Sequence, residues 1–287
     1  MISQFLLAAA LWQSGAPLPV ARAEVAAANW REYVVVVGGE TSNGEASARV
    51  DAYNSRIGEW MRLPDLPVAV RHPMAAAGGG TLFVFGGDGG DGRPRRDAFE
   101  LPTARGWVRL RSMPAGRTSG GAAFDGNKLY VVGGVGPHGL ARTMLVYDAF
   151  RRRWQTLPGP RPREGLGVIA MHGWIYAVGG RVGERSLSVA QRWWPRTRRW
   201  EVLAPVPDAR SDTSLAAVNG LVASAGAASP LVYTYLPRRK RWRREADLPA
   251  PRSGLGLVGV GATVFAVGGR SVSRSVSDAN ESLDLPG

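Results

Sequence analysis

Six arginines recur through the chain at nearly constant spacing: Arg22, Arg71, Arg117, Arg163, Arg210 and Arg252. A guanidinium presents a planar fork of donors that clamps a carboxylate or phosphate bidentately, so several brought together would form an anion receptor. The groups suited to proton transfer are less organised. Glu40, Asp88, Glu164 and Glu184 are the candidate carboxylates, and no spacing singles out one pair. His72, His138 and His172 are scattered with no partner at a ligand spacing. His72, beside Arg71, and His138, in a glycine-rich stretch, read as solvated side chains. Cysteine is absent, which excludes disulfides and thiolate metal centres. The sequence therefore points to no catalytic residue, no metal and no cofactor, and favours binding over catalysis.

The arginines are one landmark of a longer repeat. Sixteen residues after each of them, or fifteen after Arg71, stands a glycine that opens a pair or its equivalent: Gly38, Gly86, Gly133, Gly179, Gly226 and Gly268. A tryptophan keeps the same period at Trp12, Trp60, Trp107, Trp154, Trp200 and Trp242. Proline follows five of these seven residues later, at Pro19, Pro67, Pro114, Pro207 and Pro249. The phrase REGLGVIAMHGWIYAVGG at Arg163 has close counterparts at Arg117 and Arg252. Six copies of a unit of about 47 residues result.

Each unit reads as four short strands. The first follows the arginine, and Gly or Asn-Gly turns it into an aromatic and β-branched second strand, such as Leu129-YVV, that ends at the glycine pair. A variable loop leads to a third strand, such as Leu145-VYDAF, and the fourth carries the tryptophan, as in Arg153-WQTLP. Units of this length and composition predict an all-β protein, a six-bladed β-propeller with four antiparallel strands per blade. A tryptophan, which buries roughly 150–250 Å², suits the seam between blades. The glycine pair suits the place where backbones crowd around the channel.

Glycine pair, spaced aromatic, spaced tryptophan, proline and arginine, in register over nearly the whole chain, resemble the kelch repeat. The resemblance implies a binding or interaction scaffold. The strand-one starts and the loops after the glycine pairs share one face, so the six arginines are expected as a ring at the channel mouth. In kelch-type substrate adaptors the matching arginines grip acidic peptide segments, which would make an acidic protein segment or an anionic small molecule the partner here. The loops 40–48, 88–96 and 135–142 would be the walls. The arginines could instead cap loop carbonyls or pair with Glu164 or Asp212. An alternative is a carbohydrate-active enzyme, because stand-alone six-bladed kelch-type proteins include sialic acid mutarotases. Copper chemistry of the galactose-oxidase kind is excluded, since it needs a cysteine cross-linked to tyrosine.

The opening Met1-ISQFLLAAALW resembles a secretory leader, with Ala21-Arg-Ala23 behind it. Against that, no basic residue precedes the apolar run, and Trp12, Pro19 and Arg22 match Trp200, Pro207 and Arg210 in spacing. The segment reads instead as a fourth strand, and the tail Glu281-SLDLPG as a third strand lacking its fourth. Residues 1–20 are thus expected to close the last blade, making 1–287 a single domain with no open edge. A retained N-terminus favours the cytoplasm, and a closed ring favours a monomer. No stretch reaches the length of a membrane span.

The formal net charge is +13, and two of the 36 basic residues are lysine. Arg151–Arg153, Arg196, Arg198–Arg199, Arg238–Arg241 and Arg243–Arg244 fall near turns between third and fourth strands, on the face opposite the arginine ring. Such a stripe could bind a polyanion, a second alternative function. Arginine-rich coding and the scarcity of aromatic platforms argue against nucleic acid.

Overall fold

Each repeat folds into one blade. A computed structural model describes residues 11–285, so the apolar opening up to Ala10 and the last two residues lie outside the described residues. Among the described residues there is no helix, and none that could cross a membrane. Six antiparallel sheets, each built on four strands, form a six-bladed propeller, and those of blades four and five carry short additional strands at the mouth. Blade one comprises Ala26–Trp30, Tyr33–Val37, Val50–Asn54 and Glu59–Arg62, paired in chain order. The innermost strands of blades two to six are Met74–Gly78, Gly121–Asp125, Glu164–Met171, Thr213–Val218 and Gly256–Val260. Side by side, they line a central cavity of about 410 Å³.

The last blade is stitched from both ends of the chain. Gln13–Ser14 pairs with Asn280–Asp284 outside the strands Thr263–Val267 and Gly256–Val260. Closure removes the two free edges that an open ring would present.

Six clusters of buried side chains hold the ring, one per seam. The cluster between blades one and two joins Val35, Val37 and Val50 to Leu82, Val84 and Phe99. That between blades six and one joins Val258 and Val267 to Val34, Val36 and Tyr53. Strand-two runs such as Tyr33–Val37 are apolar on both faces because each lies between two neighbouring blades.

The tryptophans fasten these seams by hydrogen bonding as well as by area. Each of the six indoles donates Nε1–H to a backbone carbonyl at or just beyond the end of the outer strand of the preceding blade. Trp60 reaches Ala16, Trp107 Pro64, Trp154 Arg111, Trp200 Pro158 and Trp242 Ala204, at 2.7–3.2 Å. Trp12 completes the circle, donating to Ala246 at 3.0 Å. Indole carries an apolar body and one donor, which is what a seam with an orphan carbonyl at its rim requires.

The glycine pairs are steric. Gly179 and Gly180 have φ of 68° and 100°, and a Cβ on Gly179 would lie 2.8 Å from the Arg210 carbonyl oxygen of the next blade. The Gly180 N–H donates to that same oxygen at 2.8 Å. Both the left-handed conformation and the close approach exclude a side chain.

Candidate functional site

Five of the six landmark arginines sit inside the blades. Arg22, Arg163, Arg210 and Arg252 are at most 1% exposed, and Arg117 is 3% exposed. Each guanidinium turns back into its own blade, and four of the five tie strand two to strand three, Arg117 reaching strand three alone. Arg163 donates to the carbonyls of Gly179 (2.6 Å), Arg161 (2.8 Å) and Ala177 (3.0 Å) and to Gln191 Oε1 (2.8 Å). Arg22 reaches the Gly38 and Arg49 carbonyls and Asp51, while Arg252 reaches the Gly268 carbonyl and Glu281. Arg117 donates to the Gly116 carbonyl and Thr143, and Arg210 to the carbonyls of Ser224 and Leu231. Burial pulls the Arg163 pKa down to about 10, with no carboxylate to offset it. These five positions clamp the fold and leave no guanidinium free at the channel mouth.

Arg71 differs, and its register gives the reason. It is the one arginine fifteen residues from its glycine, so Val70 occupies the structural position. Val70 is buried, and its carbonyl accepts from Gly39 N–H, as the Arg210 carbonyl accepts from Gly180. Arg71, one residue on, emerges at the mouth and bridges Glu40 (3.1 Å) and Asp88 (3.2 Å).

Two other rows of residues build the mouth. The first lies two positions after the clamp position: Glu24, His72, Ser119, Gly165, Asp212 and Gly254. All six are left-handed, with φ between 49° and 60°. Their backbones touch around the ring, His72 N–H donating to Glu24 (3.0 Å) and Gly165 N–H to Ser119 (2.8 Å). The two glycines make room for their neighbours' carboxylates. A Cβ on Gly165 would lie 2.8 Å from Asp212 Oδ1, and one on Gly254 2.6 Å from the Glu24 carboxylate. The second row follows the glycine pairs directly: Glu40, Asp88, Val135, Arg181, Ala228 and Arg270.

The rows interlock through charge. Arg270 pairs with Glu40 at 2.7 Å, and Arg181 pairs with Asp212 at 3.1 Å and Glu164 at 3.3 Å. His72 is not a solvated rim residue. Its ring contacts Asp88 at 3.2 Å and Glu24 at 3.3 Å, and Asp88 also accepts from Thr118. Burial alone would lower the His72 pKa, but the hydrogen bonds to Asp88 and Glu24 outweigh it and raise it to about 10. Glu24 is held below its usual range, its burial more than offset by the bond to His72. Asp212 is pushed up, first by burial and then by the nearby negative charge of Glu24.

The remaining expected residues divide clearly. Glu40, Asp88 and Glu164 are ion-paired acceptors in this ring, whereas Glu184 is exposed on a loop tip. His138 and His172 are exposed. The loops 40–48, 88–96 and 135–142 have exposed tips, while blade five has only the tight turn Ala227–Ala228, both residues left-handed. Among the described residues, no group of His, Cys, Asp and Glu converges as a metal site. Glu24, Arg181 and Arg270 went unrecognised in the sequence, although their offsets from the arginine and glycine landmarks mark them.

Comparison with known proteins agrees with this architecture. Residues 17–226 match the KLHDC2/KLHL20/DRC7 Kelch-repeats domain. The chain belongs to the kelch-repeat family. Over 77 residues it is 30% identical to Kelch-like protein 38 of Rattus norvegicus and 29% identical to that of Homo sapiens. That segment is 27% of this chain and 13% of either relative. The match therefore bears on the kelch repeat and not on the whole of those longer proteins.

Proposed function

We propose that this kelch propeller is a protein-interaction scaffold that receives a partner segment at its channel mouth, and that the segment presents a basic side chain. The observation that carries this is the charge of the mouth. Five carboxylates, Glu24, Glu40, Asp88, Glu164 and Asp212, face four cations, Arg71, Arg181, Arg270 and His72. An acidic ligand entering this ring would have to displace carboxylates from Arg71, Arg181 and Arg270. A basic group placed beside Glu24 and Asp212 would instead offset the burial and, after it, the negative charge of Glu24 that together raise Asp212. Exposed loops of unequal length surround the mouth, as expected of recognition loops on a regular scaffold.

Selecting binders from a displayed random-peptide library on the purified propeller tests this reading. Enrichment of Lys- or Arg-bearing peptides is expected. Enrichment of acidic peptides would refute the charge assignment and return the mouth to the anion-receptor reading.

A further inference from the structure

The opposite end of the propeller carries a feature that the mouth does not explain. There, four-residue turns join the third and outer strands: 55–58 in blade one, 149–152 in blade three, 195–198 in blade four and 237–240 in blade five. The last residue of each is left-handed, with φ of 74° at Gly58, 52° at Arg152, 54° at Arg198 and 52° at Lys240. Blade one uses glycine, which takes this conformation freely. Blades three to five use long basic side chains at a cost of roughly 1–2 kcal/mol each. Three successive blades thus hold a cation where glycine would be more stable, a local conflict that points to use rather than to folding.

The surroundings share that character. Arg198, Arg199, Arg238, Arg239, Lys240 and Arg241 are all exposed, and none has a carboxylate within salt-bridge distance among the described residues. In blade three, Phe150 stands 86% exposed at the turn tip, directly before Arg151. Ile57, at the tip of the blade-one turn, is 65% exposed. The arginines beside these two tips are ion-paired, Arg151 with Asp148, Arg152 with Glu100 and Arg56 with Glu32, so the turn cations left unpaired are those of blades four and five. Unpaired cations on two turns and an apolar tip on the next, all projecting from one end of a ring, match a flat anionic surface into which an aromatic can dip. Nucleic acid would call for a groove or a run of stacking platforms, and the basic turns of blades four and five have no exposed aromatic at their tips.

We propose that this end of the propeller docks on an anionic membrane surface, the basic turns of blades three to five meeting phosphate-bearing lipid headgroups and Phe150 entering the interface. Each basic residue near such a surface contributes about 1 kcal/mol, and a buried phenyl ring adds to it.

Co-sedimentation of the full chain with phosphatidylcholine vesicles, with and without phosphatidylserine, tests this. Pelleting is expected only with phosphatidylserine, weakening as salt is raised. Replacing Arg198, Arg199, Arg238, Arg239, Lys240 and Arg241 together with Gln should weaken it at least about tenfold. Phe150→Ala should weaken it about threefold or more. A second variant guards against misfolding: Arg152→Gly with Arg198→Gly and Lys240→Gly should melt no lower than wild type yet bind vesicles less tightly. No pelleting with phosphatidylserine, or pelleting undiminished in the Gln variant, would overturn the proposal. So would tight binding of a short RNA with no affinity for vesicles, which would assign the surface to nucleic acid.

Discussion

Arg163→Ala separates a clamp from a ligand contact. The wild-type side chain is 0% exposed and makes four hydrogen bonds, three to backbone carbonyls and one to Gln191. Its removal leaves Gln191 Oε1 and the carbonyls of Gly179, Ala177 and Arg161 without this donor, in a space too enclosed for ready hydration. Each buried unsatisfied acceptor costs about 1–3 kcal/mol, but the wild-type guanidinium is itself buried without a counter-charge, which offsets part of the loss. A net destabilisation of about 3–5 kcal/mol follows, two or three such acceptors less the relief of the uncompensated charge. An unfolding entropy of about 2.1 cal/mol/K per residue gives this chain roughly 0.6 kcal/mol/K, so the melting temperature should fall by about 5–8 °C. Differential scanning calorimetry reads this directly, with Arg71→Ala as the control. Arg71 is 21% exposed in solvent-accessible ion pairs, and its loss should cost about 0.5–1 kcal/mol, or less than about 2 °C. Equal melting temperatures for Arg163→Ala and wild type would refute the clamp.

Two further perturbations probe the mouth and the closure. His72 gains its proton affinity from Asp88 and Glu24 in the folded state, so its contribution is fully present below pH 6.5 and is lost as pH rises toward about 10. Unfolding free energies from denaturant titrations between pH 7 and 9.5 should decline with a limiting slope of up to roughly 1.4 kcal/mol per pH unit, and His72→Gln should flatten that slope; an identical profile in the variant would contradict the pairing. Trp12→Phe retains an aromatic body and loses the hydrogen bond to Ala246 across the seam between blades five and six, so it should cost about 1 kcal/mol. Trp12→Ala should cost about 3 kcal/mol, and a melting temperature unchanged by either substitution would mean that the terminal strand does not close the ring.

The scaffold was legible because steric demands repeat. Every seam needs a Trp12- or Trp60-like anchor and a Gly179-like close approach, so the same residue types return in register. The arginines were ambiguous for a physical reason: a guanidinium serves equally well as a carbonyl clamp and as an anion receptor, and composition does not say whether it points inward. Only the structure gave meaning to the one register slip, fifteen residues between Arg71 and Gly86, which marks the arginine that faces the mouth. Glu24, His72, Asp212, Arg181 and Arg270 were hard to see because they share no residue type around the ring. They share only an offset from the landmarks. The left-handed conformation common to Glu24, His72, Ser119 and Asp212 is equally silent in the sequence, since none of these four is the glycine that usually announces it.

The most direct test of the central claim is calorimetric titration of a library-selected basic peptide against wild-type protein and the Glu24→Gln/Asp212→Asn variant. Removing two close carboxylates should weaken binding at least about tenfold, a loss of roughly 1.4 kcal/mol or more, while the Gln variant of the basic turns binds as wild type does. Equal affinity for wild type and the mouth variant would contradict the account and place recognition elsewhere on the ring.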